Sequence, residues 1–441
     1  MREGYQLTDV GYFPIDWEFG RIDDYFSIQQ GKSVSKANRV GNNQKPFLRT
    51  SNLLWGKVTI DKLDYLHFSE EEEKKFKLEF NDLLVCEGGD IGRTAIWKNE
   101  LDGCYYQNHL HRVRAKIKDI DPVFILHWMQ YAFQYGKVYF GRANITTIPN
   151  LSKSRLSEFT IPKPPLPEQR KIDYVLSTLQ KAIEQQDKLI SHTTELKKAL
   201  MQKLFTEGTK GEKQKVTEIG LVPESWEVTT IGEMYDFTSK PRGLNIELPV
   251  PFIPMDIVPL NEIYIEKYEL RESLSSGTYV ENGDLLLAKI TPSFENGKQG
   301  IVSIDKPYSY ATTEVIPIKD KAKVSDKYYL FYYLLKDDIR KPLTDKMEGS
   351  TGRQRLSKTI LEETLIPKPS FNEQKEIAKI FLSFNEKLSF LQKKKQTLSD
   401  LFKTMLHELM TGEIRVHEIE FEALIKAYKI KEQPLSMAAE K

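Results

Sequence analysis

Two long stretches of the chain carry apolar side chains at alternating spacings of four and three residues. The first runs from residue 172 to residue 204, and the second follows at an offset of 205 residues. Seven of the ten seam positions in the first stretch and nine of the ten in the second are apolar. This spacing predicts one coiled-coil seam in each stretch.

The seam side chains are the predicted interface of a helix pair. They are Ile172, Leu176, Leu179, Ile183, Ile190, Leu200 and Leu204 in the first helix, and Ile377, Phe381, Phe384, Leu388, Leu391, Leu398, Phe402, Met405 and Leu409 in the second. Polar residues interrupt the seam, to set its register or to face a partner's helix, at Gln186, Thr193, Lys197 and Lys395. Helices of about 40 residues extend roughly 60 Å at ~1.5 Å per residue. Because a folded body separates them in sequence, we expect them to pair antiparallel; the alternative is that each helix packs on its own body.

A nine-residue box precedes each helix. Residues 161–169 read Ile-Pro-Lys-Pro-Pro-Leu-Pro-Glu-Gln, and residues 366–374 read Ile-Pro-Lys-Pro-Ser-Phe-Asn-Glu-Gln. A Pro-x-x-Trp-Glu box opens each half of the chain, at residues 14–18 and 223–227. The two nine-residue boxes are 205 residues apart. A period of this length indicates a domain duplication, since solenoid repeats have periods of ~20–50 residues. The predicted order is a first body (1–160), a first spacer helix region (161–212), a second body (213–365), a second spacer helix region (366–412) and a tail (413–441).

Both bodies mix strand-like and helix-like runs. Apolar runs at 82–86 and 284–288 follow turn residues and predict buried strands. Aromatic and aliphatic runs at 124–135 and 328–335 predict core helices. The predicted fold class is α+β: two similar bodies of mixed α/β structure, joined by a long antiparallel two-helix coiled coil, with a pseudo-twofold internal repeat.

The net charge is only +1, yet the charges are unevenly distributed. Residues 25–60 and 122–157 contain no acidic residue and several basic ones, which favours a nucleic-acid surface over chance. Arg, Lys and Asn side chains read base edges, and Arg and Lys neutralise phosphates. The candidate nucleic-acid-binding residues are Lys32, Lys36, Arg39, Lys45, Arg49, Asn52, Arg93, Arg142, Lys240, Arg242, Lys289, Lys298, Arg353 and Arg355.

The sequence offers no catalytic constellation. No Asn-Pro-Pro-Tyr or Asp-Pro-Pro-Tyr methylation motif occurs, and nothing pairs a nucleophile with a base. His109 and His111 have no further ligand at zinc-site spacing, so we expect no metal. Cys86 and Cys104 lack framework spacing, and no apolar run approaches the ~18 residues of a membrane span. We therefore expect a non-catalytic cytoplasmic protein with free thiols and no membrane contact.

The doubled boxes resemble those of the specificity subunits of type I restriction–modification systems. The order of body, helix, body and helix agrees, with the Trp-Glu box opening each body. Leu-Arg-Thr-Ser-Asn at 48–52 and Ile-Thr-Pro-Ser-Phe-Glu-Asn-Gly-Lys at 290–298 look like segments common in recognition domains of that family. The resemblance covers about residues 1–412.

The resemblance implies a DNA-reading role. Each body would be a target recognition domain for one half of a split site in double-stranded DNA, with the helix pair as the spacer. Two methyltransferase (modification) subunits and the restriction/translocase subunits would be its partners. S-adenosylmethionine, ATP and Mg would be needed only in those partners, and the chain itself would hold no cofactor.

Two other functions stay open on the sequence. One is a recognition chain that carries its own methylation or nuclease activity, and the other is a coiled-coil scaffold without a role on DNA. The tail, with Ile419, Phe421, Leu424, Ile425 and Tyr428, would pack on the first body or contact a partner.

Overall fold

A computed structural model of the chain describes residues 4–136, 138, 150–350 and 352–416. The chain divides into two compact units: unit 1 comprises residues 1–185 and 395–441, and unit 2 comprises residues 186–394. The predictions for Arg142 and for the tail beyond residue 416 lie outside the described residues.

Unit 1 is built from short strands and a few helices. Its strands are β1 (Tyr5–Thr8), β2 (Gly11–Pro14), β3 (Glu18–Arg21), β4 (Phe26–Gln30), β5 (Gln44–Leu48), β6 (Leu53–Leu54), β7 (Lys57–Val58), β8 (Asp64–His67), β9 (Leu83–Cys86), β10 (Thr94–Ile96), β11 (Tyr105–Tyr106), β12 (Leu110–Ala115) and β13 (Thr160–Lys163). Its helices are α1 (Ile22–Tyr25), α2 (Glu70–Phe76), α3 (Pro122–Gln130), α4 (Lys153–Ser157) and the first part of α5 (Leu166–Glu207). Two 3-10 turns (Ala37–Arg39, Thr50–Asn52) and a π-helical turn (Tyr131–Tyr135) complete it.

The antiparallel sheet β10-β9-β12-β4 separates two cores in unit 1. Alternate residues of a strand face opposite sides of the sheet. Leu83 and Val85 of β9 therefore join the core beneath α3, while Leu84 and Cys86 join the core of the second sheet, β11-β5-β8. All four β9 residues are buried, so the strand predicted at 82–86 is confirmed.

Unit 2 repeats this plan. Its strands are β14 (Gln214–Thr217), β15 (Gly220–Pro223), β16 (Glu227–Thr230), β17 (Tyr235–Phe237), β18 (Val250–Ile253), β19 (Tyr264–Ile265), β20 (Glu269–Arg271), β21 (Thr278–Glu281), β22 (Leu285–Ala288), β23 (Gln299–Val302), β24 (Tyr308–Ala311), β25 (Val315–Asp320), β26 (Glu348–Ser350), β27 (Arg353–Arg355) and β28 (Leu365–Lys368). Its helices are α6 (Ile231–Met234), α7 (Lys327–Tyr333), α8 (Asp337–Asp345), α9 (Lys358–Glu362) and the first part of α10 (Phe371–Met410). The larger sheet is β17-β25-β22-β23-β19, and its buried central strand β22 confirms the strand predicted at 284–288. A second sheet, β20-β18-β24-β21, lies over the other core.

Within unit 1, the first part of α5 and the last part of α10 share one core. Helix α5 starts directly after the Pro-rich lead-in and has Pro167 in its first turn. The missing N–H of a proline costs nothing there, because the first N–H groups of a helix have no intrahelical partner. Ile172 and Leu176 of α5 are buried in the same cluster as Phe402 and Leu409 of α10. Leu179 and Ile183 pack against that cluster and are only partly buried.

Within unit 2, the remaining parts of the two helices run antiparallel. The Phe205 and Phe381 rings stack with their centroids 6.0 Å apart. Lys197 Nζ donates to Asn385 Oδ1, so residues further along α5 face residues earlier in α10. Burial lowers the pKa of Lys197, one of the residues that interrupt the seam, and the amide oxygen of Asn385 supplies its partner.

The predicted fold class is confirmed. Each unit has an α+β body with the same order of elements around its central strand, and in each unit the body is joined to an antiparallel pair of long-helix segments. The buried Gln186 and Thr193 show that the seam accepts polar side chains without losing burial.

Candidate nucleic-acid interface and its anchoring clamps

In unit 2, the glutamate of the repeated box meets the tryptophan of the shorter box. Trp226 Nε1 donates to Glu373 Oε2 at 3.2 Å, and both side chains are buried. The carboxylate also accepts from the Thr209 backbone N–H at 3.0 Å and lies 3.1 Å from Lys210 Nζ. Burial alone would raise the pKa of Glu373, but the bonds from Thr209, Lys210 and Trp226 outweigh it and lower the pKa. A buried carboxylate with this many donors stays ionised.

Unit 1 contains the same arrangement with a different cation. Trp17 Nε1 donates to Glu168 Oε2 at 3.3 Å. Arg415 donates to both Glu168 oxygens, at 2.8 and 2.9 Å, and its other contacts include Asp16 at 2.7 and 2.9 Å. Hydrogen bonds to Glu168 and Asp16 raise the pKa of Arg415. The guanidinium therefore ties the segment after α10 to the start of α5.

The neighbouring glutamine fastens each body to its long helix. Gln169 Oε1 accepts from the Asp121 N–H at 2.7 Å, and its amide donates to Pro164 O at 2.7 Å. Gln374 repeats both contacts with the Asp326 N–H and Pro369 O, each at 3.0 Å. Asp121 and Asp326 are the N-cap residues of α3 and α7. One glutamine thus connects the first turn of a long helix to the start of a core helix.

We call these sets clamp 1 (Trp17, Glu168, Gln169) and clamp 2 (Trp226, Glu373, Gln374). A glycine with a left-handed backbone conformation lies beside each clamp: Gly412, with φ +66°, in unit 1 and Gly208, with φ +68°, in unit 2. A Cβ on Gly208 would lie 2.8 Å from Glu373 Oε1, and one on Gly412 would lie 2.5 Å from Pro14 Cγ. The sequence analysis identified the Trp-Glu box and the nine-residue box as repeats, but it did not predict that they contact each other. Because both boxes recur together in each half of the chain, the contact could have been inferred from the sequence.

Several predicted DNA-binding residues of unit 1 have internal partners. Lys32 is buried, donates to His67 O at 2.6 Å and pairs with Glu72. Burial would raise the pKa of Glu72, but its hydrogen bond with Lys32 and those with Ser69 lower it instead. Asn52 is also buried and donates to two backbone carbonyls. Both side chains stabilise the fold of unit 1, and we do not include them in the surface proposed below.

The remaining candidates in unit 1 lie at or near its surface. Lys36 and Arg39 are exposed. Lys45 lies 3.5 Å from Glu73, and Arg49 lies 2.7 Å from Asp64. Arg93 donates to Thr50 O at 2.8 Å and is half-buried. Ion pairs at this exposure are weak and exchange readily with phosphate contacts.

Unit 2 exposes three of its six candidates without a polar contact among the described residues: Lys240, Arg242 and Arg353. Lys289 is half-buried, and Lys298 donates to Met255 O at 2.6 Å. Arg355 forms three contacts with the Glu314 carboxylate, at 2.7, 2.9 and 3.1 Å. Three of the six candidates lie close enough to Glu314 to act on it electrostatically: Lys289, Arg353 and Arg355. Together they lower the pKa of Glu314, and the hydrogen bond from Arg355 is the largest cause.

Residues 4–136, 138, 150–350 and 352–416 contain no cluster of three or more His, Cys, Asp or Glu side chains arranged to hold a metal ion. Over the same ranges, no helix has the length and apolar character that crossing a membrane requires.

Comparison with known proteins gives consistent matches. Residues 14–191 and 223–400 each match the family model described as "Type I restriction modification DNA specificity domain". The MjaVIII type I restriction enzyme specificity subunit of Methanocaldococcus jannaschii is 27% identical over 420 residues, covering 92% of this chain and 95% of that protein. The EcoAI specificity subunit of Escherichia coli is 28% identical over 185 residues, covering 41% of this chain and 31% of that protein.

Solved structures match in fold. The S subunit of a type I restriction–modification system from M. genitalium has a TM-score of 0.54 at 18% identity, covering 90% of this chain and 96% of that one. A chain described under "complex assembly and conformational transition of the type I R-M system" has a TM-score of 0.55 at 16% identity, covering 91% and 99%.

Proposed function

Because this chain belongs to the type I restriction modification DNA specificity family, with two copies of its domain, we propose that it reads a bipartite DNA target. Each body reads one half-site, and the two long helices set the unread gap between them. The observation that carries the proposal is the pair of clamps. Each clamp fixes one body to the first turn of one long helix: α5 in unit 1 and α10 in unit 2. The glutamate of each clamp also binds the segment that follows the other long helix, through Arg415 in unit 1 and through Thr209 and Lys210 in unit 2. A body therefore cannot turn independently of the helix segments in its unit.

The charge distribution supports DNA as the ligand. Exposed Lys36 and Arg39 in unit 1, and Lys240, Arg242 and Arg353 in unit 2, are available to phosphates and base edges. Binding through such contacts releases counterions, so affinity should fall steeply with salt concentration.

We further propose that the chain is not itself an enzyme. Methyltransferase subunits that bind S-adenosylmethionine would modify the target, and restriction/translocase subunits that use ATP and Mg would cleave DNA, in the cytoplasm. Apolar side chains on the long helices support docking of a partner: Leu189, Leu196 and Phe390 are 46–53% exposed in unit 2. Replacing Leu196 by glutamate should weaken assembly with the methyltransferase while leaving the fold of unit 2 intact.

The gap between half-sites tests the role of the helices. Both helices pass from one unit to the other, α5 between residues 185 and 186 and α10 between residues 394 and 395. Inserting four residues in each adds about 6 Å at the helical rise of ~1.5 Å per residue. The methylated motif should then have a gap one or two base pairs longer, at ~3.4 Å per base pair. An unchanged gap would show that the helices do not set it.

Exchange of one body tests modular reading. Replacing residues 1–160 with the corresponding part of a relative that has another target should change one half of the methylated motif and leave the other half unchanged. Methylation-aware sequencing of DNA from cells that carry the whole system would reveal the motif. A change in both halves, or a motif that is not split, would contradict the proposal.

The alternatives give different results. Methyl transfer by the isolated chain would indicate an activity of its own. Failure of the chain with its methyltransferase partners to retain duplex DNA in a filter-binding experiment would indicate a scaffold without a DNA role.

A further inference from the structure

The β-hairpin strands β26 and β27 are exposed: five of their six residues are exposed and Gln354 is half-buried. The pairs of the hairpin are Glu348 with Arg355, Gly349 with Gln354 and Ser350 with Arg353. Gly349 has φ +136°, and a Cβ there would lie 2.6 Å from Arg353 O. The two strands approach this closely only because the residue is glycine, and the result is a narrow two-stranded ribbon.

The base of the hairpin is fixed to the body. Leu356 N donates to Lys289 O at 2.7 Å, Thr291 N donates to Gln354 O at 3.0 Å, and Gln354 N donates to Thr291 Oγ1 at 3.1 Å. An isolated bridge links Ile290 to Arg355. The ribbon therefore projects from a defined platform, the segment 289–298.

Arg340, a buried guanidinium, fixes the position of this platform. Arg340 donates to Phe294 O at 2.5 Å, to Leu334 O at 2.8 Å and to Gln299 Oε1 at 2.7 Å. Burial lowers its pKa to about 10. A buried cation is costly unless all its donors are satisfied, and here the donors fix the segment that carries the hairpin.

The two arginines of β27 have different environments. Arg355 is bound on Glu314, whose carboxylate is also near Lys289 and Arg353. Glu348 lies opposite Arg355 in the ribbon, so these three cations and two carboxylates leave a net positive charge beside it. The Arg353 side chain is exposed, and among the described residues it has neither a hydrogen bond nor an ion pair.

We propose that this hairpin enters the major groove of the half-site read by unit 2, with Arg353 as the side chain that reads a guanine and Arg355 as a positioning residue. The major groove admits a two-stranded ribbon, and arginine paired with the O6 and N7 atoms of guanine is the commonest specific contact. Arg355 acts through Glu314, holding the ribbon at a fixed angle. The inference rests on the proposed function and assigns one base-reading position to one side chain.

The test uses the full chain assembled with its methyltransferase partners, methylating a library in which each position of the target is randomised. Arg353→Ala should reduce discrimination at one position of one half-site by roughly 10- to 100-fold, without lowering the unfolding temperature. Arg353→Lys should restore only part of it. Lys346→Ala, an exposed cation close to the base of the hairpin, is the matched control and should leave every position unchanged.

The positioning role has its own measurement. Arg355→Gln and Glu314→Gln should each weaken discrimination across the half-site, and the double variant should be no worse than either single one, because both changes break the same contact. Independent, additive losses would mean that Arg355 touches DNA directly.

The outcomes separate the inference from the proposed function. If the wild-type assembly methylates no bipartite motif, the proposed function fails. If it does, and Arg353→Ala weakens binding to all sequences equally with a lower salt slope, Arg353 only contacts phosphate and the inference is overturned. Loss of discrimination in the half-site assigned to unit 1 would overturn it as well.

Discussion

Units 1 and 2 place equivalent carboxylates at equivalent sites and neutralise them differently. Asp82 and Asp284 both precede the buried central strand, and both accept a backbone N–H three residues back, at 2.7 and 2.8 Å. Arg114 binds both oxygens of Asp82 at 2.7 Å. No arginine among the described residues binds Asp284, and burial raises its pKa to about 6. The duplicated backbone thus tolerates, at the same buried position, either a carboxylate bound by arginine or a carboxyl group whose pKa is raised by burial.

The largest expected effect comes from removing the arginine in unit 1. Arg114→Met leaves the Asp82 carboxylate buried without its cation, which should lower the free energy of unfolding by about 3 kcal/mol at pH 8. Urea unfolding at pH 8 measures this. Arg112→Met is the matched control, since the hydrogen bonds of Arg112 among the described residues go to backbone carbonyls. An equal loss in the two variants would contradict the comparison.

Removing the charge of Asp284 in unit 2 should change the free energy of unfolding in the opposite direction. Because its pKa of about 6 exceeds that of an unfolded aspartate, its contribution to stability is fully present below pH ~4 and is lost as the pH rises through 6. Asp284→Asn should therefore raise the free energy of unfolding by about 2 kcal/mol at pH 8 and give no gain at pH 4. Hydrogen exchange of the β22 amides reports on unit 2 directly. Asp82→Asn should destabilise at pH 8, and a stabilisation there would remove the distinction between the units.

The two clamps also differ in the cation that binds the buried glutamate. Arg415 binds Glu168 in unit 1, and Lys210 binds Glu373 in unit 2. Arg415→Lys would replace a two-oxygen contact on Glu168 with a single one, at a cost of about 1 kcal/mol. A calorimetric scan should show the transition of unit 1 shifted down by a few degrees. Arg170→Lys, exposed on α5, is the control and should not shift it.

The smallest effect is expected at the repeated lysine of the nine-residue box. Lys163 bridges Glu18 and Asp119, at 3.1 and 2.7 Å, whereas Lys368 has only Glu227, at 2.9 Å, as an ion-pair partner among the described residues. Each alanine variant should lower the unfolding temperature by less than about 2 °C, with the larger change at Lys163. Both changes should fade in 1 M salt, and a loss that persists there would point to packing rather than charge.

Local sequence patterns predicted the long helices and the central strand of each unit. The four-three spacing predicted both long helices, and short apolar runs after turns predicted β9 and β22. These predictions succeed because burial of one face follows directly from periodicity. The seam was less uniform than its pattern suggested, since Ile190 and Leu388 are only partly buried.

The site depended on contacts that sequence spacing does not encode. Trp17 and Glu168 are 151 residues apart, and only the folded chain brings them together. Charge counting could not distinguish Lys32, folded over the Phe68 ring at 4.9 Å, from the exposed Lys36. Arg353 and Arg355 differ for the same reason, because the partner that occupies Arg355 comes from the loop before β25.

Unit 1 is interrupted along the chain, and unit 2 is continuous. The core of unit 1 includes Phe402, Leu406, Leu409 and Val416, all of which follow the last residue of unit 2. A ribosome therefore adds every residue of unit 2 to the chain before it adds these four residues of the unit 1 core. Although domains usually fold in the order of synthesis, here the one that starts first is the last to be completed. Until then its incomplete core is exposed to chaperones and proteases.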